Sequence, residues 1–122
     1  MTGVRFVAWA PKEWAGYNDL AWILGREGKH AEAARVIEAA FAQVPLGEEN
    51  AWLWNMLGVA QMNGGDMAAA RTSFARAKEL AALMTETEWG KAYPGNDPST
   101  GADGLESFRA AIERNLARAG GA

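Results

Sequence analysis

Part of this chain is written twice. Tyr17 aligns with Trp54, Asn18 with Asn55, Leu20 with Leu57 and Ala21 with Gly58. Further along, Gly28 aligns with Gly65, Ala33 with Ala70, Ile37 with Phe74 and Ala40 with Ala77, always at an offset of about 37 residues. Pro11 and Pro45 stand about 34 apart, and the extra residues fall in the turn LGEEN before the second copy. A repeat of this length is one supersecondary unit that cannot bury its apolar face alone. Its copies must stack, each covering the next.

The apolar spacing says what the unit is made of. Tyr17, Leu20, Ala21 and Leu24 fall at helical intervals between Lys12 and Glu27, and Gly28 stops that helix. A second helix runs from His30 to Val44 with Ala33, Ile37, Ala40 and Val44 on one face, ended by Pro45. A third is expected from about Glu48 to Asn63, with Trp54, Leu57, Gly58 and Gln61 in register. Gly64 and Gly65 break it, and Asp66 is a good N-cap for a fourth helix carrying Ala70, Phe74, Ala77 and Leu80, which frays near Glu88. Residues 93–104 read as a turn-rich loop. A fifth helix is expected from about Gly104 to Ala119, striped by Leu105, Phe108, Ile112 and Leu116. No segment reads as a strand, so the fold class is all-α.

Gly58 sits inside the third helix, where glycine costs about 1 kcal/mol relative to alanine. Packing must return that cost. Helix axes approach to the short end of their usual spacing only where a contact residue is very small. Gly58 and Ala21 are such positions, facing Ala33, Ala40, Ala70 and Ala77, while Leu20, Leu57, Ile37 and Phe74 fill the space between.

These residues resemble the tetratricopeptide repeat family. Its pattern is an aromatic, then Leu-Gly or Leu-Ala, a turn glycine, Ala, a large apolar residue, Ala, and a closing Pro. Trp54, Leu57, Gly58, Gly65, Ala70, Phe74 and Ala77 carry it in one copy. Tyr17, Leu20, Ala21, Gly28, Ala33, Ile37, Ala40 and Pro45 carry it in the other. The sequence departs at Leu24 and Gln61, where the family has an aromatic, and at Ala82, where the proline is missing. The resemblance covers about residues 14–82. It implies an antiparallel helix-pair solenoid with two repeats, 12–46 and 47–92, the second with an extended second helix. An N-terminal apolar arm (1–11), a loop (93–102) and a C-terminal capping helix (103–122) complete the organisation. A terminal cap with a polar outer face is what a stack of repeats needs. Glu106, Arg109, Glu113, Arg114 and Arg118 lie away from the fifth helix's stripe and supply that face.

Catalysis finds no support in the residues. His30 is the sole histidine and stands at the start of the second helix, a surface or first-turn position with nothing to orient it as a base. Glu86 and Glu88 are two apart and do not share a helix face. Residues 96–101 lack the spaced acidic ligands and closing Glu of a calcium loop. No glycine-rich phosphate loop follows a strand. With no cysteine there is no thiolate chemistry, disulfide or cysteine metal site. We therefore expect no enzyme, no cofactor and no metal. The net charge of -3, without a basic cluster, argues against nucleic acid. No stretch is apolar for the roughly 18 residues of a membrane span, and the apolar run before Pro11 is too short for a secretory signal. A soluble cytoplasmic protein is the expectation.

What remains is binding. In the family the concave surface is lined mainly by the first helix of each pair. Carried over by register, that groove takes Asn18, Trp22 and Arg26 from one repeat and Asn55, Val59, Met62 and Asn63 from the other, with Trp52 and Ala15 at its upper edge. Asparagine amides donate and accept, so Asn18 and Asn55 could hold a peptide backbone. Alternatively they hydrogen-bond neighbouring helices. Trp22 and Met62 offer apolar contact, and Arg26 can pair with a carboxylate. The several lysines with which some family members clamp a C-terminal carboxylate are missing, which counts against that mode. The function expected is a non-catalytic protein-interaction module holding a protein or peptide segment in this groove. The alternatives are a structural unit that assembles with copies of itself, or a regulatory domain of a larger system.

Two further expectations concern the aromatics. Trp9, Trp14, Trp22, Trp52, Trp54 and Trp89 cannot all be core, and exposed tryptophans are enriched at interfaces. Trp89 and Tyr93 are expected to fold back and pin the loop. The segment VRFVAWA is apolar on both alternations, so it lies across its own first helix pair or reaches a second copy, making a homodimer through the N-terminal edge.

Overall fold

A computed structural model describes residues 14–44, 46–86, 88–89 and 101–120, with the backbone alone at 101 and 102. The N-terminal arm with Trp9, the closing Pro45, and Tyr93 with most of its loop lie outside the described residues. Among the described residues five long helices follow one another: α1 (Trp14–Arg26), α2 (His30–Gln43), α3 (Ala51–Asn63), α4 (Met67–Leu83) and α5 (Gly101–Arg118). Among the described residues there is no strand.

The two repeats turn in the same way. Gly28 and Gly65 both hold positive φ, 79° and 95°, between the helices of each pair. Side chains rarely adopt that conformation, so glycine is required at both equivalent places. Asp66 then caps α4, its carboxylate accepting from the Ala69 N–H at 3.1 Å.

Three helix boundaries differ from those read off the sequence. The third helix begins at Ala51, not Glu48, because Gly47–Glu49 form a single 3-10 turn. The Asn50 side chain accepts from the Leu53 N–H at 3.1 Å and caps α3 there. The fourth helix ends at Leu83 because Met84 turns extended (φ -77°, ψ 139°). Beyond it Thr85 and Glu88 bond each other's N–H groups in a capping box, at 2.9 and 3.1 Å. Hydrogen bonding to its carboxylate from the Thr85 backbone N–H, and then from the Thr85 side chain, favours the ionised form and holds the exposed Glu88 carboxyl below its ordinary value. The fifth helix begins at Gly101, so the end of the expected loop is already helical.

The core follows the small–large pattern. Tyr17, Leu20, Ala21 and Leu24 of α1 pack with Ala33, Ile37 and Ala40 of α2 and with Leu53, Leu57 and Ala60 of α3. The Tyr17 phenol is pushed above its ordinary pKa by this burial. Gly58 lies against Phe74, and a Cβ built on it would stand 2.5 Å from the Phe74 ring. That contact is why the helix carries glycine. Gln61, at an aromatic position of the family pattern, instead accepts from the buried Ser73 hydroxyl at 2.6 Å.

The fifth helix covers the end of the stack. Ile112, fully buried, packs with Ala51, Ala77 and Ala81. Ala119 joins Ala70 and Phe74, with Leu116, Val59 and Met62 against them. Two arginines fasten it antiparallel to α4. Arg109, midway along α5, donates to the carbonyls of Ala81 and Met84 at 2.9 Å and of Ala82 at 3.4 Å. Arg71, near the start of α4, donates to the Ala119 carbonyl at 2.9 Å. Both donate to carbonyls at a helix end, and both set a cation at the negative pole of the dipole. The Lys78–Glu113 pair between them is exposed and 3.8 Å long, so it adds little. Arg109→Ala is expected to lower unfolding stability by about 1–3 kcal/mol, the worth of charge-assisted hydrogen bonds. Arg109→Lys should recover only part of it, because an ammonium cannot reach three carbonyls as a fork does. Urea unfolding of both variants checks this, and equal stability of parent and Arg109→Ala would show the fastening to be inert.

Candidate functional site

The first helices of the two pairs, α1 and α3, run side by side in the same sense, and α5 takes the next place in that row. Three rings mark one end of the row. Trp14 stacks on Trp52 with ring centroids 5.0 Å apart, and Trp52 stacks on Phe108 at 4.9 Å. Such offset pairs contribute about 0.5–1.5 kcal/mol beyond their burial.

At the other end the row opens. A cleft of about 170 Å³ lies between Ala21, Trp22, Gly25 and Arg26 of α1 and Met56, Val59, Ala60 and Asn63 of α3. His30 and Ala33 of α2 form its inner wall. Trp22 is 53% exposed, and the Arg26 guanidinium carbon sits 4.9 Å from the centre of its ring. That cation–π contact holds the indole as a rim rather than letting it sweep. His30 Nδ1 is shielded from solvent and has no hydrogen-bond partner. Such an atom is costly to leave unsatisfied.

The residues expected in and beside the groove therefore divide, and Ala15, expected at its edge, is buried. Trp22, Arg26, Val59 and Asn63 meet in the cleft. Asn18 is 9% exposed, and its buried Oδ1 has no hydrogen-bond partner. It lies one helical turn from Trp14 and one from Trp22, on the stretch of α1 between the ring stack and the cleft. Trp52, Asn55 and Met62 face α5 instead. Trp52 is held in the ring stack. Asn55 Oδ1 accepts from the Asn115 amide at 3.1 Å. Met62 packs with Leu116 in the cluster around Phe74. The reason is that α5 reaches past α4 onto α3, and side chains that would line an open channel become its seat.

His30 was missed as a cleft residue. The signal was available: it is the first residue of α2, two after the turn glycine, and that turn folds it beneath the end of α1. Trp89 packs its ring on Gly104 of α5, where a Cβ would collide with it. Trp54 lies half-buried between the two core clusters, its Nε1 donating to the Glu48 carbonyl at 2.7 Å. Among the described residues no group of three or more His, Cys, Asp or Glu could hold a metal ion. No described helix is long and apolar enough to cross a membrane.

Paired antiparallel helices, stacked with matched turn glycines and closed by a further helix, define a helical-repeat protein. The family model described as tetratricopeptide repeat matches residues 53–82, which run from early α3 to the end of α4. The chain carries a tetratricopeptide repeat in that segment. No curated protein and no solved structure matches it.

Proposed function

We propose that the chain is a non-catalytic interaction module whose cleft between α1 and α3 takes an apolar side chain of an extended protein segment. One observation carries this: an apolar cleft is rimmed by the half-exposed Trp22 and bounded by polar groups, Arg26, Asn63 and the unpartnered His30 Nδ1. Its volume of about 170 Å³ favours a single side chain of a longer ligand. Small-molecule sites usually run to roughly 300–1,000 Å³. The family is one of protein-binding repeats, which supports a protein partner. The net charge of -3 also favours protein over nucleic acid. The reading assumes a cytoplasmic setting and needs no cofactor. A second reading, assembly with copies of itself, is favoured by the exposed Trp22 and Ile23 side by side on α1.

Selection from a random peptide library displayed on phage tests the cleft. Recovered peptides are expected to share one large apolar residue. They should shift the backbone amide resonances of α1 and α3 around Trp22 and Asn63. Val59→Glu, which puts a charge in the cleft wall, should weaken binding at least about tenfold, the cost of desolvating an unpaired charge. Peptides that bind Val59→Glu as well as the parent, while it keeps the parent's circular dichroism, would place the site elsewhere.

A further inference from the structure

The outer face of α1 carries a pattern that complements itself. Trp22 and Ile23 are 53% and 47% exposed, two large apolar side chains side by side on one helix. Asp19 and Arg26, both exposed, stand one turn to either side of them on the same face. Trp22, Ile23, Arg26 and Glu27 together border a shallow surface hollow separate from the cleft. The spacing has an arithmetic consequence. If two α1 helices cross antiparallel about a two-fold axis between Trp22 and Ile23, each Trp22 meets the other copy's Ile23. Each Asp19 then meets the other copy's Arg26. Both charges find an opposite partner twice over, and the apolar pair is covered in the middle. A parallel crossing would instead set Asp19 against Asp19 and Arg26 against Arg26.

We propose that this stripe is a docking surface for a second copy of the chain, joined antiparallel through α1. An isologous contact of this kind requires one patch complementary to itself, which these four residues supply. The Asp19 carboxylate has several acceptor positions, so a bond across the interface does not need it to be otherwise unengaged. Four side chains on one helix make a small patch beside the roughly 2,000–5,000 Å² that permanent dimers bury, so the association is weak. The proposal stands apart from the cleft reading, because Asp19 and Ile23 do not line the cleft. The two are nonetheless linked. Trp22 and Arg26 border both surfaces, so a docked copy and a loaded cleft exclude each other.

Sedimentation velocity of the full chain, from about 0.01 to about 1 mM to span a weak interface, tests it. The parent is expected to sediment faster as concentration rises, toward a dimer. Ile23→Glu should remain a monomer throughout. Asp19→Arg and Arg26→Asp, each alone, put like charges opposite each other and should weaken the dimer at least about tenfold. Combined, the two reversals restore opposite charges across the axis and should recover most of the loss. That recovery is the outcome a merely solubilising effect would not produce. All four positions are exposed, so folding is checked by unchanged melting curves. A parent that stays monomeric at the highest concentration overturns the proposal. So does a dimer that Ile23→Glu leaves intact, or a double reversal no better than either single. The cleft reading fails separately: library-selected peptides lost from Val59→Glu but kept by Ile23→Glu support the cleft whatever the dimer does.

Discussion

Gly58→Leu is expected to be among the most damaging single substitutions in this chain. A Cβ at Gly58 would stand 2.5, 2.6 and 2.9 Å from three atoms of the Phe74 ring, well inside van der Waals contact. Phe74 is completely buried, so its ring has no open side to move into. It packs with Ala70 and Ala119, which ties any shift to the α4–α5 contact as well. The first carbon alone is too large, and leucine adds three more. Overpacking of a tight core costs about 1–3 kcal/mol and occasionally more. For a domain of this size that corresponds to a fall in melting temperature of several degrees. Gly58→Ala should be milder, because alanine recovers about 1 kcal/mol of helix propensity against the same clash. The source of the effect can be isolated with Phe74→Leu, which removes the ring. Gly58→Ala should cost less in that background than in the parent, giving a coupling energy in a double-mutant cycle. Parent-like melting of Gly58→Leu would mean that the close approach of α3 and α4 is not what holds the second repeat together.

Removing α5 by truncation after Asp103 is expected to have the other large effect. The helix covers Ala77 and Ala81 of α4 and, together with Ala119, the ring of Phe74. It also supplies the Phe108 ring against Trp52 and the Asn115 amide to Asn55. Its loss would expose an apolar strip along two helices and leave the last carbonyls of α4 without the Arg109 fork. Contiguous exposed apolar surface drives association. The truncated chain should aggregate, or unfold over a broadened transition, in size-exclusion light scattering and urea titration. A milder check keeps the helix: Ile112→Ala, at a fully buried site, should cost about 2–5 kcal/mol. A truncated chain that stays monomeric and melts with the parent would show that α5 is an attachment and not a cap.

The repeat, its helices and its turns were legible in the sequence because their signals are local. Apolar residues three and four apart put Leu20 and Leu24, or Trp54 and Leu57, on one face whatever the rest of the chain does. Gly28 and Gly65 were readable as turns, and both hold positive φ. Gly58 could be read as a close approach because glycine inside a helix needs a packing reason, and Phe74 proved to be the neighbour. Register also groups Trp22, Arg26, Val59 and Asn63, and these four line one cleft, whose role is a proposal. The rest depended on where α5 settles. Asn55 and Asn115 are 60 positions apart, and no spacing in the chain relates them. Their bond, the Trp52–Phe108 stack and the packing of Met62 follow from where α5 settles against α4 and α3. The same holds for Arg109, which the sequence sets on the polar outer face of α5 and which clasps the last carbonyls of α4, and for Arg71, which clasps the end of α5. A helical pattern specifies which face of a helix is apolar. It does not specify which neighbour that face meets, because the choice is made by summed packing across the whole stack, where many weak contacts between distant residues decide together.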